Sequence, residues 1–136
     1  MLVTKFDLYI PHRVVIYLRM SQEGQNPRSP EQQDAVIREL MQRLGVPWVV
    51  VATYRDDFIS ARFTRRRPDF QRMMKDLKTG VVQASLVLVD TFERFTRADN
   101  GDTIREMFRR IGVLVLTANS NFNDPTSSSG RALSAF

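Results

Sequence analysis

No cysteine occurs in the 136 residues, which excludes both a disulfide framework and a thiolate metal site. Histidine appears once, as His12, so no imidazole cluster can hold a zinc ion, and the absence of a His-Asp pair argues against an ordinary serine hydrolase. Glycine is sparse, at six residues, and the chain contains neither a Gly-x-Ser-x-Gly elbow nor a glycine-rich phosphate loop. These absences argue against α/β-hydrolases and nucleoside triphosphatases. No apolar stretch reaches the roughly 18 to 20 residues of a membrane span, and the N-terminus has no basic region followed by a long apolar run. A cytoplasmic protein without a membrane partner is therefore expected.

What is present is a chain with 43% hydrophobic and 26% charged residues, enough for one compact domain with a real core and no room for a second. The formal charge of +5 is unevenly placed. Between positions 55 and 75, Arg55, Arg62, Arg65, Arg66, Arg67, Arg72 and Lys75 face only Asp56, Asp57 and Asp69, seven basic against three acidic residues. A basic segment of this kind suits either a solvated face or a polyanion such as nucleic acid.

Hydrophobic periodicity predicts alternating strands and helices. Val14–Leu18 is a run of β-branched and apolar residues, as in a strand buried on both faces of a parallel sheet. Ser29 with Pro30 and Gln32 reads as a capping box opening a helix over 30–44, whose stripe Val36, Ile37, Leu40, Met41 and Leu44 ends at Gly45. A second strand is predicted over 46–54. A second helix runs from Pro68 to Gly80 on Phe70, Met73, Met74 and Leu77. A third strand over 84–90, a third helix over 103–110 and a fourth strand over 113–116 complete the pattern. The expectation is an α/β fold in three layers: a mainly parallel sheet of four to five strands with helices on both faces. Residues 1–13 form an arm without an assigned role, His12 being a surface residue. From 119 onward the chain is polar, and 123–136 reads as the start of a helix that the chain does not complete.

In open parallel sheets, chemistry gathers at the carboxyl ends of the strands. Those ends carry Arg19-Met-Ser21 with Gln25, then Asp56-Asp57 through Arg67, then Glu93-Arg94 through Arg97. If the strand ends share one edge, Arg19, Arg67, Arg94 and Arg97 converge on the Ser21 hydroxyl. Guanidinium groups grip phosphate oxygens in pairs and stabilise the added charge of a pentacoordinate transition state, and their field also helps a serine lose its proton. Asp57 and Glu93 can orient arginines or pass protons. Neither a metal nor another cofactor is called for by this chemistry.

Tyr17-Leu-Arg-Met-Ser21 with Gln25, Ser29-Pro-Glu-Gln-Gln33, Asp57-Phe-Ile-Ser60 before Arg67-Pro68, and Glu93-Arg-Phe-Thr-Arg97 resemble, in order and spacing, the signature of the serine recombinases: resolvases, invertases and large phage-type integrases. The resemblance runs from about Val14 to the end of the chain. It implies that Ser21 is the nucleophile, that Arg19, Arg67, Arg94 and Arg97 hold the scissile phosphate, and that Gln25, Gln33, Asp57 and Glu93 support them. It further implies a resolvase-like catalytic domain over 14–122, a dimerisation helix beginning within 123–136, and DNA as partner. The family acts as homodimers that join in a synaptic tetramer, cleaving through a 5′-phosphoserine and religating without metal or high-energy cofactor. Departures are Glu93 where the family usually has Asp, Phe58 and Ala61 in place of glycines, and Lys75 only near the family's helix lysine. A longer arm between Gln25 and Ser29 resembles the large integrases more than the small resolvases. A serine transposase of the same superfamily is the alternative within this chemistry. A receiver-like or idle DNA-binding α/β module is the alternative outside it, although Arg19-Met-Ser21 stands where a receiver would carry an acidic pair.

Overall fold

The computed structural model describes residues 7–20, 28–57, 67–91 and 101–122. Among them the order is β1 (His12–Arg19), α1 (Pro30–Leu44), β2 (Trp48–Asp56), α2 (Pro68–Thr79), β3 (Leu86–Val89), α3 (Gly101–Arg110) and β4 (Leu114–Thr117), followed by a single 3₁₀ turn over Ala118–Ser120. The strands form one parallel sheet in the order β2-β1-β3-β4.

Each strand of a parallel sheet must hide two apolar faces, and the alternation along β1 shows how this is met. Val14, Ile16 and Leu18 join Ile37 and Leu40 of α1, Trp48, and Phe122 beyond β4 in one cluster. Val15 and Tyr17 join Phe70, Met73, Met74 and Leu77 of α2 and Phe108 of α3 in the other. The three-layer α/β expectation holds, with four strands among the described residues.

Local signals set the helix ends. At α1, Ser29 Oγ accepts from the Gln32 amide at 3.1 Å while Gln32 Oε1 accepts from the Ser29 amide at 2.8 Å, a complete capping box. Gly45 closes the helix at φ 69°, a conformation that costs residues with a Cβ. At α2, Pro68 takes the first position, but Arg67 at the cap makes no side-chain cap bond. Here the cap comes from another element: Asp56 at the end of β2 accepts from the amides of Asp69 at 2.9 Å and Phe70 at 3.0 Å.

Three expectations need correction. The first strand begins at His12, two residues inside the predicted arm, because His12 pairs in register with Trp48. His12 is not a plain surface residue. It is half-buried, with Nδ1 2.9 Å from Ser85 Oγ and Nε2 2.9 Å from the Asp7 carbonyl. Leu8 also packs on the α1-side cluster, and its carbonyl accepts from Trp48 Nε1 at 2.9 Å. Finally, the polar stretch after β4 is not loop from its start, for Phe122 is fully buried with its ring 5.3 Å from that of Trp48. The predicted helix start at 123–136 lies outside the described residues.

Candidate active site

The strand order reverses between β1 and β3: from β1 the chain passes through α1 to β2 on one side, then returns through α2 to β3 on the other. A crevice at the carboxyl ends of those two strands is the usual consequence. The buried polar side chains gather at this edge. Among the described residues they are Arg19, Gln33, Asp56, Asp90 and Thr117. Arg19, Asp56 and Thr117 each end a strand, Asp90 directly follows β3, and Gln33 lies in the first turn of α1. Burying polar groups is costly, so their concentration at one edge marks a built site.

Register explains which residues meet. The β1–β2 ladder starts with His12 opposite Trp48 and shifts by one between Val14 and Val15, so that Tyr17 faces Tyr54 and Arg19 faces Asp56. Without this bulge the partner of Arg19 would be Arg55, since the extra residue changes which side chains reach each face. The Met20 amide then donates to the Asp56 carbonyl at 3.0 Å, extending the pairing to the residue just before Ser21.

Gln33 is fully buried and acts on backbone rather than on side chains. Its Oε1 accepts from the Arg19 amide at 3.1 Å, and its Nε2 donates to the carbonyls of Arg19 at 2.8 Å and Arg28 at 2.9 Å. One side chain thereby holds both flanks of the segment that carries Ser21 and Gln25.

Arg67 stands at the cap of α2 with its guanidinium 4.8 Å from the centroid of the Phe70 ring. That ring meets Tyr17 edge-on at 5.6 Å. The Tyr17 hydroxyl donates to Asp56 Oδ2 at 2.6 Å. Burial first, and then the Asp56 carboxylate, raise its ionisation far above the ordinary tyrosine range, while the charges of Arg67 and Arg19 pull the other way. Tyr54 is pushed up to about 12 by burial and by its bond to Asp76 at 2.7 Å. At neutral pH both tyrosines are protonated and donate to carboxylates, so neither is an available nucleophile.

Of the residues singled out in the sequence, the structure brings Arg19, Gln33 and Arg67 to this edge. Asp57 is placed differently: it is exposed and pairs with Arg55, which also pairs with Glu31 of α1 at 2.7 Å. The buried carboxylate of the pair is Asp56, which the sequence does not single out as a site residue. Asp90 and Thr117 were missed too, and the available signal was a polar residue closing an apolar strand. Ser21, Gln25, Glu93, Arg94 and Arg97 lie outside the described residues, as do Phe58 and Ala61. Lys75 is exposed on α2.

Asp56→Ala leaves the Tyr17 hydroxyl and the amides of Asp69 and Phe70 without their acceptor. A loss of about 3 kcal/mol in folding stability is expected from buried donors left unmatched together with a lost helix cap. Urea denaturation measures it. Asp56→Asn should lose less, because one oxygen still accepts.

The family model described as the resolvase N-terminal domain matches residues 14–136. The chain belongs to that family. The resolvase domain is similar to the N-terminal catalytic domain of TP901-1 integrase, with 25% identity, a TM-score of 0.68, and coverage of 90% of this chain and 92% of the other. Its fold is also that of a resolvase family site-specific recombinase from Streptococcus pneumoniae, at 23% identity, TM-score 0.65, and 90% and 83% coverage. The C-terminal catalytic domain of ISC1926 TnpA, an IS607-like serine recombinase, shares the fold at 23% identity, TM-score 0.60, and 77% and 68% coverage. No curated protein matches the sequence. The resolvase domain is thus that of a serine recombinase, an enzyme that breaks and rejoins DNA. The receiver-like alternative falls with this family membership. Among the described residues no helix is long and apolar enough to cross a membrane.

Proposed function

We propose that Ser21 is the nucleophile of DNA strand cleavage and that Arg19, Arg67, Arg94 and Arg97 hold the scissile phosphate. The Ser21 oxygen bonds to phosphorus as the bond to the 3′ oxygen breaks. The serine proton is lost, the departing 3′ oxygen takes one up, and the protein is left joined to the 5′ end. Religation reverses the step with a 3′ hydroxyl from the other site, so the ester conserves the energy of the broken bond. Arginines supply the stabilisation of the pentacoordinate phosphorus, because their paired donors match its charged oxygens.

The observation that carries this reading is the concentration of buried polar residues at the carboxyl edge, Arg19 among them, with Arg67 at the start of α2 stacked on the Phe70 ring that meets Tyr17, in a chain of the resolvase family. Gln33 and Asp56 serve as positioning residues: the first fixes the backbone on either side of the serine segment, the second fixes the start of α2 beside Arg67. Gln25 and Glu93 support these arginines in this reading, while Asp57 holds Arg55 at the surface. The domain works within a longer recombinase, as a homodimer that pairs into a synaptic tetramer across two DNA sites.

The test is a cleavage reaction by the full-length recombinase on DNA bearing its site, in excess EDTA, with religation blocked by a nicked substrate. A protein–DNA adduct at the 5′ end and a free 3′ hydroxyl are expected, at the rate seen without chelator. Cleavage that stops in EDTA, or an adduct at the 3′ end, contradicts the mechanism.

A further inference from the structure

Asp90 directly follows β3, is 1% exposed, and has no part in the assignments above. A carboxylate in such a place is costly unless it is compensated by charge and hydrogen bonds. Its Oδ1 accepts from the Thr91 amide at 2.8 Å, its Oδ2 lies 3.7 Å from a guanidinium nitrogen of Arg28, and its carbonyl accepts from the Asn119 amide at 3.0 Å. The contact with Arg28 is an ion pair, too long for a hydrogen bond.

The position of that ion pair gives it significance. Arg28 follows the segment that carries Ser21 and Gln25, and its carbonyl is held by the same Gln33 amide that holds the Arg19 carbonyl. Asp90 precedes the segment that carries Glu93, Arg94 and Arg97. β1 and β3 are the neighbours between which the strand order reverses, so the pair links the connection that follows β1 with the end of β3.

We propose that Asp90 is a positioning residue for strand cleavage: paired with Arg28, it ties the end of β3 to the backbone that Gln33 holds on either side of Ser21. The proposal rests on the assignment of Ser21 and the arginines made above. Asp90 does not touch the phosphate. It neutralises Arg28 and fixes where the two segments begin and end. The half-exposed Arg28 contributes to the site only while that pairing holds.

The experiment compares Asp90→Asn, Arg28→Gln, Arg28→Lys and the double variant Arg28→Gln/Asp90→Asn in the full-length recombinase, with Ser21→Ala alongside. The single-turnover cleavage rate at saturating DNA is read apart from DNA affinity and thermal melting. Asn keeps an acceptor for Thr91 and puts an uncharged amide group in place of the oxygen that faces Arg28, so Asp90→Asn is expected to cleave roughly tenfold more slowly with affinity little changed, within the range of coupling between contacting residues. Arg28→Gln should show the same loss, the double variant no greater loss than either single change, and Arg28→Lys a recovered part of the rate. A merely structural Asp90 predicts neither that coupling nor that recovery. Multiplying losses in the double variant, or a normal rate in Asp90→Asn, overturns the proposal. If Asp90→Asn fails to fold, Arg28→Gln decides alone: slow cleavage at unchanged melting supports the pairing, and normal cleavage overturns it. Cleavage by Ser21→Ala instead strikes the underlying site assignment, whereas an inactive Ser21→Ala beside multiplying losses removes only the role of Asp90.

Discussion

Ser21→Ala is expected to remove the covalent protein–DNA adduct and to lower cleavage on the order of 10⁴-fold or more, while DNA binding and melting stay near those of the parent. The size of the effect follows from the role assigned to the hydroxyl: an attacking group has no substitute, and loss of a nucleophile costs far more than loss of a binding contact. No tyrosine among the described residues is placed to take over. Tyr17 and Tyr54 have their protons committed to Asp56 and Asp76, with ionisation raised by burial, and Tyr9 precedes β1 at the opposite edge of the sheet. Stability should change by no more than about 0.5 kcal/mol, since the substitution deletes a single hydroxyl oxygen and no apolar group. Peptide mapping of the adduct by mass spectrometry checks the attachment point. An adduct that survives in the alanine variant, on a tyrosine or on another serine, rejects the assignment.

Arg19→Lys should slow cleavage by about 10²- to 10³-fold while leaving ground-state DNA affinity within a few-fold, and Arg67→Lys should do the same. Lysine keeps the charge that attracts a polyanion but loses the planar fork that grips two phosphate oxygens at once. Arg19 is only 6% exposed and its backbone is fixed on both sides by Gln33, so a shorter fork cannot be compensated by a backbone shift. Separate measurement of binding and single-turnover cleavage distinguishes the two contributions. A near-normal cleavage rate in Arg19→Lys would show that this guanidinium does not contact the phosphate in the transition state. An affinity loss equal to the rate loss would mean that it binds ground state and transition state alike.

The sequence by itself determined the class of fold, the order of its elements and the family. Val14–Leu18 can hide its two faces only between layers, Ser29 with Gln32 carries its own capping box, and Gly45 and Gly80 stop helices through local backbone geometry; all are short-range effects that a linear reading reaches. The motifs around Arg19, Gln33 and Arg67 were legible for a related reason, since each lies beside a local boundary: the end of an apolar run, a capping box, and a proline that opens a helix. Only the tertiary structure decided which acidic residues are buried and what they pair with. Asp56 and Asp57 are alike as neighbours in sequence, and a one-residue bulge beside Val14 turns Asp56 to Arg19 and the start of α2 while Asp57 turns outward to Arg55. The cap of α2 likewise comes from a strand rather than from the residue before Pro68, Asp90 finds Arg28 across the crevice, and Phe122 finds Trp48 from the far end of the chain. Each of these joins residues at least 12 positions apart, and their pairing is set by strand register and sheet order, quantities that no local pattern of residues contains.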